Sequence, residues 1–123
     1  MSQHDLEIAN QESADARTDI NNALQALASS SSGNSAPSTT YANQFWYDSS
    51  NNLLKIRNNQ NSAWITIGEA NKSSGRFEPI IGDWKMDISS SSLVLKHKGT
   101  RKFKLTTSGD LIVTGNVTGN GSI

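Results

Sequence analysis

The chain has 123 residues, eleven basic and eleven acidic side chains, a formal net charge of zero and no cysteine. The lack of cysteine excludes a disulfide framework and a thiolate metal site, and no apolar run reaches the roughly 20 residues of a membrane-spanning helix. Ser, Asn and Thr account for 41 residues, whereas Leu, Ile, Val and Phe account for only 25. We therefore expect short strands, many turns and self-association.

The zero net charge conceals an asymmetry between the two halves of the chain. Residues 1–50 carry a net charge of −5, and residues 51–123 carry +5. The two halves are therefore expected to have different surroundings. The polar, acidic start of the chain has neither the basic nor the apolar region of a signal peptide, so we expect synthesis in a cytoplasm without such a peptide.

Residues 1–28 are predicted to contain an amphipathic helix. Its apolar stripe has helical spacing, and its start has a capping residue in Ser13 or Asp15. The stripe consists of Ala16, Ile20, Ala23, Leu24 and Leu27. A helix of about fourteen residues is marginal in isolation, so this one needs a partner. A bundle of identical helices, a groove on another protein and the helix's own domain all remain open.

A change in composition and period follows the helix. Residues 29–40, rich in Ser and containing Pro37, are predicted to be a linker. Residues 41–68 change to a period of two, with strands at 45–47, 53–57 and 63–67 separated by polar turns. This pattern predicts a three-stranded β-meander that ends at Gly68.

The C-terminal third has the clearest strand pattern. Residues 69–83 are expected to be an irregular connector, because Gly75, Pro79 and Gly82 interrupt them. In residues 84–123, apolar pairs recur every eight to ten residues, which is typical of sandwiches, barrels and fibrous β-stalks. Over both β regions, the residues predicted to form the core or an interface are Trp46, Leu54, Ile56, Trp64, Ile65, Ile67, Trp84, Met86, Ile88, Leu93, Leu95, Phe103, Leu105, Leu111 and Val113.

Several motifs resemble tailed-bacteriophage tail-fibre proteins. The resemblance to the N-terminal part of these fibres lies in Met1-Ser2-Gln3-His4-Asp5, Ile20-Asn21-Asn22-Ala23-Leu24-Gln25-Ala26-Leu27, Ala36-Pro37-Ser38-Thr39-Thr40-Tyr41-Ala42, Trp46-Tyr47-Asp48, Leu54-Lys55-Ile56-Arg57-Asn58 and Ser62-Ala63-Trp64-Ile65-Thr66-Ile67-Gly68. Separately, Gly109-Asp110-Leu111-Ile112-Val113-Thr114-Gly115-Asn116-Val117 resembles a shaft motif that is common in phage fibres and tailspikes.

This resemblance implies an elongated homotrimeric virion protein, mainly β with an N-terminal α-helix, a small β-meander module and an interleaved β-shaft. The N-terminal part, with Ile20, Ala23, Leu24 and Leu27, would form the trimer or attachment interface. Other tail, baseplate or fibre proteins would be its partners. The resemblance stops where such fibres continue into a long shaft and a receptor-binding tip, so a short tail fibre or a fibre adaptor is expected.

No catalytic constellation is evident, so we expect neither an enzyme nor a cofactor. Paired carboxylates such as Asp83 and Asp87 are sparse and lie at turns, which disfavours glycosidase chemistry. A cluster of basic residues alternates with apolar ones, as on the solvated face of a hairpin, although an acidic partner or a polyanion would also fit. It consists of Lys96, Lys98, Arg101, Lys102 and Lys104. We expect neither nucleic-acid binding nor membrane insertion.

The alternative function is a small carbohydrate-binding module that contacts host surface glycan. It would use exposed aromatic side chains, and the candidates are Trp46, Trp64 and Trp84. Tryptophan at alternating strand positions is more often part of a core or an interface than a sugar platform.

Overall fold

The computed structural model describes residues 3–119 and shows a mainly β protein with one N-terminal helix. Eight strands form antiparallel pairs with their neighbours in the sequence, three strands in the N-terminal part and five in the C-terminal part. The mainly β class with an N-terminal helix is therefore confirmed. The chain divides into two compact units, Met1–Phe77 and Glu78–Ile123.

In the first unit, helix α1 spans Ser13–Ala28. The residue preceding the helix is Glu12, whose side chain makes no capping hydrogen bond. The expectation that Ser13 or Asp15 caps the helix is therefore wrong, because both lie inside its first turn. After the helix, Ser30 and Ser31 both adopt positive φ values and reverse the chain.

The expected meander follows, with strands β1 at Phe45–Asp48, β2 at Leu53–Arg57 and β3 at Trp64–Asn71. Pairs such as Phe45 with Ile56, and Ile56 with Ile65, set the register. β3 does not end at Gly68 as the sequence predicted. A Cβ at Gly68 would overlap the ring of Phe77, so glycine at this position leaves room for the aromatic ring.

Residues 29–40, expected to be a linker, are packed into the first unit. The N–H of Tyr47 donates to the carbonyl of Ser30 at 2.9 Å, and the N–H of Gly33 donates to the carbonyl of Tyr47 at 3.1 Å. Gly33 forms a parallel bridge with Asp48, and Pro37 is buried. The segment therefore extends the edge of β1 instead of separating the helix from the strands.

The second unit contains most of β4 (Arg76–Ile81), followed by β5 (Trp84–Ser89), β6 (Ser92–His97), β7 (Thr100–Leu105) and β8 (Leu111–Val113). The expectation of an irregular connector at residues 69–83 is wrong, because β4 lies within it. Tight turns join the strands. Ser90 and Ser91 between β5 and β6, and Lys98 and Gly99 between β6 and β7, all have positive φ values, as the two-residue type I′ turn requires.

Candidate assembly surfaces

One face of the second unit is mostly apolar across five strands, and its polar members His97 and Thr100 lie in the same cross-strand row as Trp84. Residues directly opposite each other in an antiparallel pair project to the same side of the sheet, and the register pairs Ile81 with Trp84, Met86 with Leu95, and Phe103 with Val113. We call this surface the apolar face. It consists of Ile81, Trp84, Met86, Ile88, Leu93, Leu95, Phe103, Leu105, Leu111 and Val113.

Most of the apolar face is open to solvent in the single chain. Seven of its ten side chains are exposed, from 37% for Val113 to 78% for Ile81. Nine of the ten were predicted from the period-two pattern. Ile81 was missed because it lies in the segment that was expected to be an irregular connector. Contiguous apolar surface of this kind marks an interaction site on a folded protein.

The opposite face of the same unit carries ion pairs. Lys85 pairs with the buried carboxylate of Glu78, and Lys96 Nζ lies 2.5 Å from Asp87 Oδ2. The hydrogen bond from Lys96 lowers the pKa of Asp87 against the opposing effect of burial, and the charges of Lys96 and Lys85 add to it. We call this surface the ion-pair face.

Val94 lies at the centre of the ion-pair face and is the one fully buried large side chain among residues 3–119. It stands between Asp87 on β5 and Lys104 on β7 in one cross-strand row. Long lysine side chains cover apolar surface with their methylene groups while keeping the ammonium in water. Val94 was not among the residues predicted to form the core or an interface.

The small apolar residues of helix α1 are buried or half-buried, whereas its large apolar residues are exposed to solvent. Ala26 is buried and Ala23 half-buried, whereas Ile20, Leu24 and Leu27 are 45% to 61% exposed. These three residues, with spacings of four and three, have the spacing of a coiled-coil seam. The stripe expected to form a trimer or attachment interface therefore keeps its larger side chains exposed.

In the first unit, an aromatic and charged cluster holds the meander together. The rings of Trp46 and Trp64 meet edge to face with centroids 5.4 Å apart. Lys55 Nζ lies 4.5 Å from the centroid of Trp46, and the Arg57 guanidinium lies 5.3 Å from that of Trp64. Trp46 is buried, so its ring faces are not available as a sugar platform.

Asp48 anchors the same cluster. Burial alone would raise the pKa of this carboxyl, but hydrogen bonds from Asn51, Lys55 and Ser50 outweigh burial and hold the pKa well below its ordinary value. Lys55 Nζ lies 3.1 Å from Asp48 Oδ2. Asp48 thus remains ionised and fixes the turn after β1, where the sequence had indicated only a turn residue.

The other meander residues with a predicted core role differ in burial. Leu54, Ile56, Trp64 and Ile67 are half-buried, whereas Ile65 is exposed. Phe45 forms a row with Ile56 and Ile65 across β1, β2 and β3. A shallow cavity of about 330 Å³ lies beside Phe45, and Leu6, Leu27 and Tyr41 are among its lining residues. Leu6 and Tyr41 were not predicted to take part in any surface.

The predicted basic face is partly neutralised. Lys96 pairs with Asp87, and Lys98 Nζ lies 3.3 Å from Asp83 Oδ2. Arg101 donates a hydrogen bond to the hydroxyl of Ser89 at 3.3 Å. Within residues 3–119, Lys102 and Lys104 form no ion pair within 4.0 Å. The five cations therefore do not form a continuous unpaired surface.

The N-terminal arm, residues 3–12, is held against the first unit. His4 Nε2 lies 2.7 Å from Asp19 Oδ1, and His4 Nδ1 accepts the N–H of Leu6 at 2.9 Å. The amide of Gln3 donates to the carbonyl of Ser35 at 2.7 Å. In the described part of the chain, no group of three or more His, Asp or Glu side chains is placed to hold a metal ion.

Comparison with known proteins finds no match: no protein-family model, no curated protein and no solved structure corresponds to the chain. From residue 3 to residue 119, no helix has the length and apolar character needed to cross a bilayer.

Proposed function

We propose that this chain is a structural subunit of a tailed-bacteriophage fibre, in which three copies share one core and the N-terminal part attaches the assembly to the particle. A short tail fibre or a fibre adaptor fits this role. The apolar face of the second unit is the observation that carries the proposal. In a single chain this face is exposed to solvent, and in an assembly the copies would bury it against one another.

The energy available from this burial is of the same order as the stability of a small domain. Complete burial of a large apolar side chain stabilises by about 1.5–3 kcal/mol. Seven side chains of the apolar face are exposed, so burying about half of each would contribute on the order of 5–10 kcal/mol per copy. This is comparable to the net stability of an entire domain, about 5–15 kcal/mol.

A second copy suits this face better than a charged partner does. The ten residues of the apolar face include no carboxylate and no ammonium group, so like charges do not oppose one another when three copies meet. The sequence resemblance to phage fibres supports three as the number of copies. The exposed side chains of Ile20, Leu24 and Leu27 supply a second apolar surface, which supports attachment through the N-terminal part.

Light scattering on the purified protein tests the proposal. The expected mass is three times 13.3 kDa, and a stable folded monomer at micromolar concentration would overturn it. Met86→Lys places a charge in the apolar face and should dissociate the assembly without loss of β-structure by circular dichroism. Thr107→Lys adds the same charge at an exposed turn and should leave the mass unchanged.

A further inference from the structure

The outermost strands β1 and β8 differ in how their outer edges are covered. Along β1, the segment 30–33 supplies hydrogen bonds, and the N–H of Ser49 donates to the carbonyl of Gly33 at 3.1 Å. β8 is the last strand in the sheet order, and no segment within residues 3–119 pairs with its outer side. One edge is therefore closed by the chain itself, and the other is open.

The register identifies which backbone groups face outward at the open edge. The N–H of Thr114 donates to the carbonyl of Lys102 at 3.0 Å, and the N–H of Thr106 donates to the carbonyl of Asp110 at 2.9 Å. Hydrogen-bonded and non-hydrogen-bonded pairs alternate along an antiparallel ladder. Residues 110, 112 and 114 therefore bond to β7, whereas the N–H and C=O groups of Leu111 and Val113 point away from it.

This edge lacks most of the features that usually prevent strand addition. Natural sheet edges are protected by short length, charged residues, proline, bulges or a covering segment, and of these β8 has only its length of three residues. Residues 111–119 contain no charged residue and no proline, and the pairing of β7 with β8 is regular from Phe103–Val113 to Leu105–Leu111. Leu111 and Val113 are also exposed members of the apolar face. The open edge therefore offers both backbone pairing and apolar contact.

The segment that follows β8 extends beyond the strand that would pair with it. Continuing the register of Phe103 with Val113 places residue 117 opposite Gly99, which lies in the turn before β7 begins at Thr100. Gly115 has a φ of +119°, which few other residues adopt. Val117 retains the alternation of Leu111 and Val113, yet it is 77% exposed.

We propose that residues 115–119 of one copy add as a strand to the open edge of β8, at Leu111 and Val113, in a second copy. The proposal rests on the trimer of the proposed function and specifies which backbone groups join the copies. In this arrangement the outer edge of β8 and residues 115–119, which both lack a pairing strand within residues 3–119, pair with each other. Because the donating and receiving segments differ, each copy can both give and receive a strand, and three such contacts can close a ring.

Symmetric pairing of β8 with β8 of a second copy is the competing arrangement. It would occupy the same outward groups of Leu111 and Val113, but it would join two copies and leave Val117 uncovered. The two arrangements therefore differ in whether protection of the edge depends on the side chain of Val117.

Amide hydrogen exchange of Leu111 and Val113, measured by NMR on the full chain, tests the proposal. In the assembled protein, both amides should exchange about tenfold or more slowly compared with the Val117→Asp variant, since pairing protects an amide from solvent. Asn116→Asp is the matched control. It adds the same charge one residue earlier, on the opposite side of an extended strand, and should retain the protection.

Each other outcome overturns the proposal in a recognisable way. If the protein is trimeric but Leu111 and Val113 exchange as fast as the turn residue Ser108, the edge remains open, and only the strand addition fails. If both amides are protected but Val117→Asp leaves them so, the partner is not residues 115–119. If the protein is monomeric by light scattering, the proposed function fails, and the strand addition fails with it.

Discussion

The indole Nε1 of Trp46 donates a hydrogen bond to the carbonyl of Gly33 at 3.2 Å within the first unit. This bond connects β1 to the segment 30–33 that covers its outer edge. Gly33 also contacts the arm, because a Cβ there would overlap the side-chain amide of Gln3. Trp46 thus joins the meander to the serine-rich segment that follows the helix.

Replacing Trp46 with Phe should destabilise the first unit by about 1–3 kcal/mol, because the change removes a buried donor and some packed volume. The amide of Gly33, which donates to Tyr47, should also exchange faster. Chemical denaturation followed by circular dichroism gives the first quantity and NMR gives the second. Trp64→Phe makes the same change in ring size but leaves the donor to Gly33 in place, so faster exchange of Gly33 in both variants would refute this role for Trp46.

Asp48→Asn should lower stability at pH 7 by about 1–3 kcal/mol, because Lys55 and Asn51 lose a buried ionised partner. The pKa of Asp48 is lowered by folding, so its contribution is fully present above the unfolded-state pKa of about 3.9. That contribution is lost as the pH falls below about 4 toward the folded-state pKa.

Denaturation curves of wild type and Asp48→Asn at pH 7, 4 and 3 measure this effect. The difference between the two proteins should shrink as the pH falls. Asp83→Asn, at an exposed carboxylate paired with Lys98, should change stability by less than about 1 kcal/mol at every pH. A difference between Asp48→Asn and wild type that stays constant from pH 7 to pH 3 would contradict the assignment.

The double change Ile20→Asp and Leu24→Asp should abolish assembly or attachment to particles, since it charges the exposed stripe of α1. The β region should stay folded, because neither side chain is buried. Light scattering and incorporation into particles measure the two effects. Asn21→Asp with Gln25→Asp places two charges on exposed polar positions of the same helix and serves as control. A stripe variant that assembles and attaches as the control does would rule out a role for the stripe.

Ser91→Gly should stabilise the second unit by about 0.5–1 kcal/mol, because Ser91 has a φ of +63° and a Cβ is unfavourable in that conformation. The melting temperature should rise accordingly. Ser73→Gly is the comparison, since Ser73 lies at an exposed turn and is not among the residues with positive φ. An equal rise in both variants would point to an effect unrelated to the β5–β6 turn.

The sequence predicted the elements whose signal is local. Alternation identified β5 and β7, regular spacing of apolar pairs between turn residues identified β6 and β8, and helical spacing identified α1. β4 was missed because Pro79 and the glycines at 75 and 82 interrupt the pattern. A strand bounded in this way depends on pairing with neighbours that a local pattern does not reveal.

Other features depend on contacts between distant residues. The serine-rich residues 29–33 have the composition of a linker, but they lie along β1 because its backbone and the indole N–H of Trp46 form hydrogen bonds with Ser30 and Gly33. Val94 is buried between the charged side chains of Asp87 and Lys104, and this burial depends on the pairing of three strands. Among the candidate surfaces, the apolar face was predictable almost completely, whereas the open edge at Leu111 and Val113 requires the register.

The ion-pair face has a consequence for how the protein responds to its medium. Glu78 and Asp87 are neutralised locally by Lys85 and Lys96, and the apolar face carries no carboxylate or ammonium group. Dissolved salt screens charges beyond a Debye length of about 8 Å at physiological ionic strength, so it acts on the repulsion between Lys102 and Lys104 of different copies, which are unpaired within residues 3–119, and leaves these local ion pairs largely unchanged. Association through the apolar face would therefore strengthen modestly with ionic strength and would weaken on cooling, since apolar burial loses driving force at low temperature.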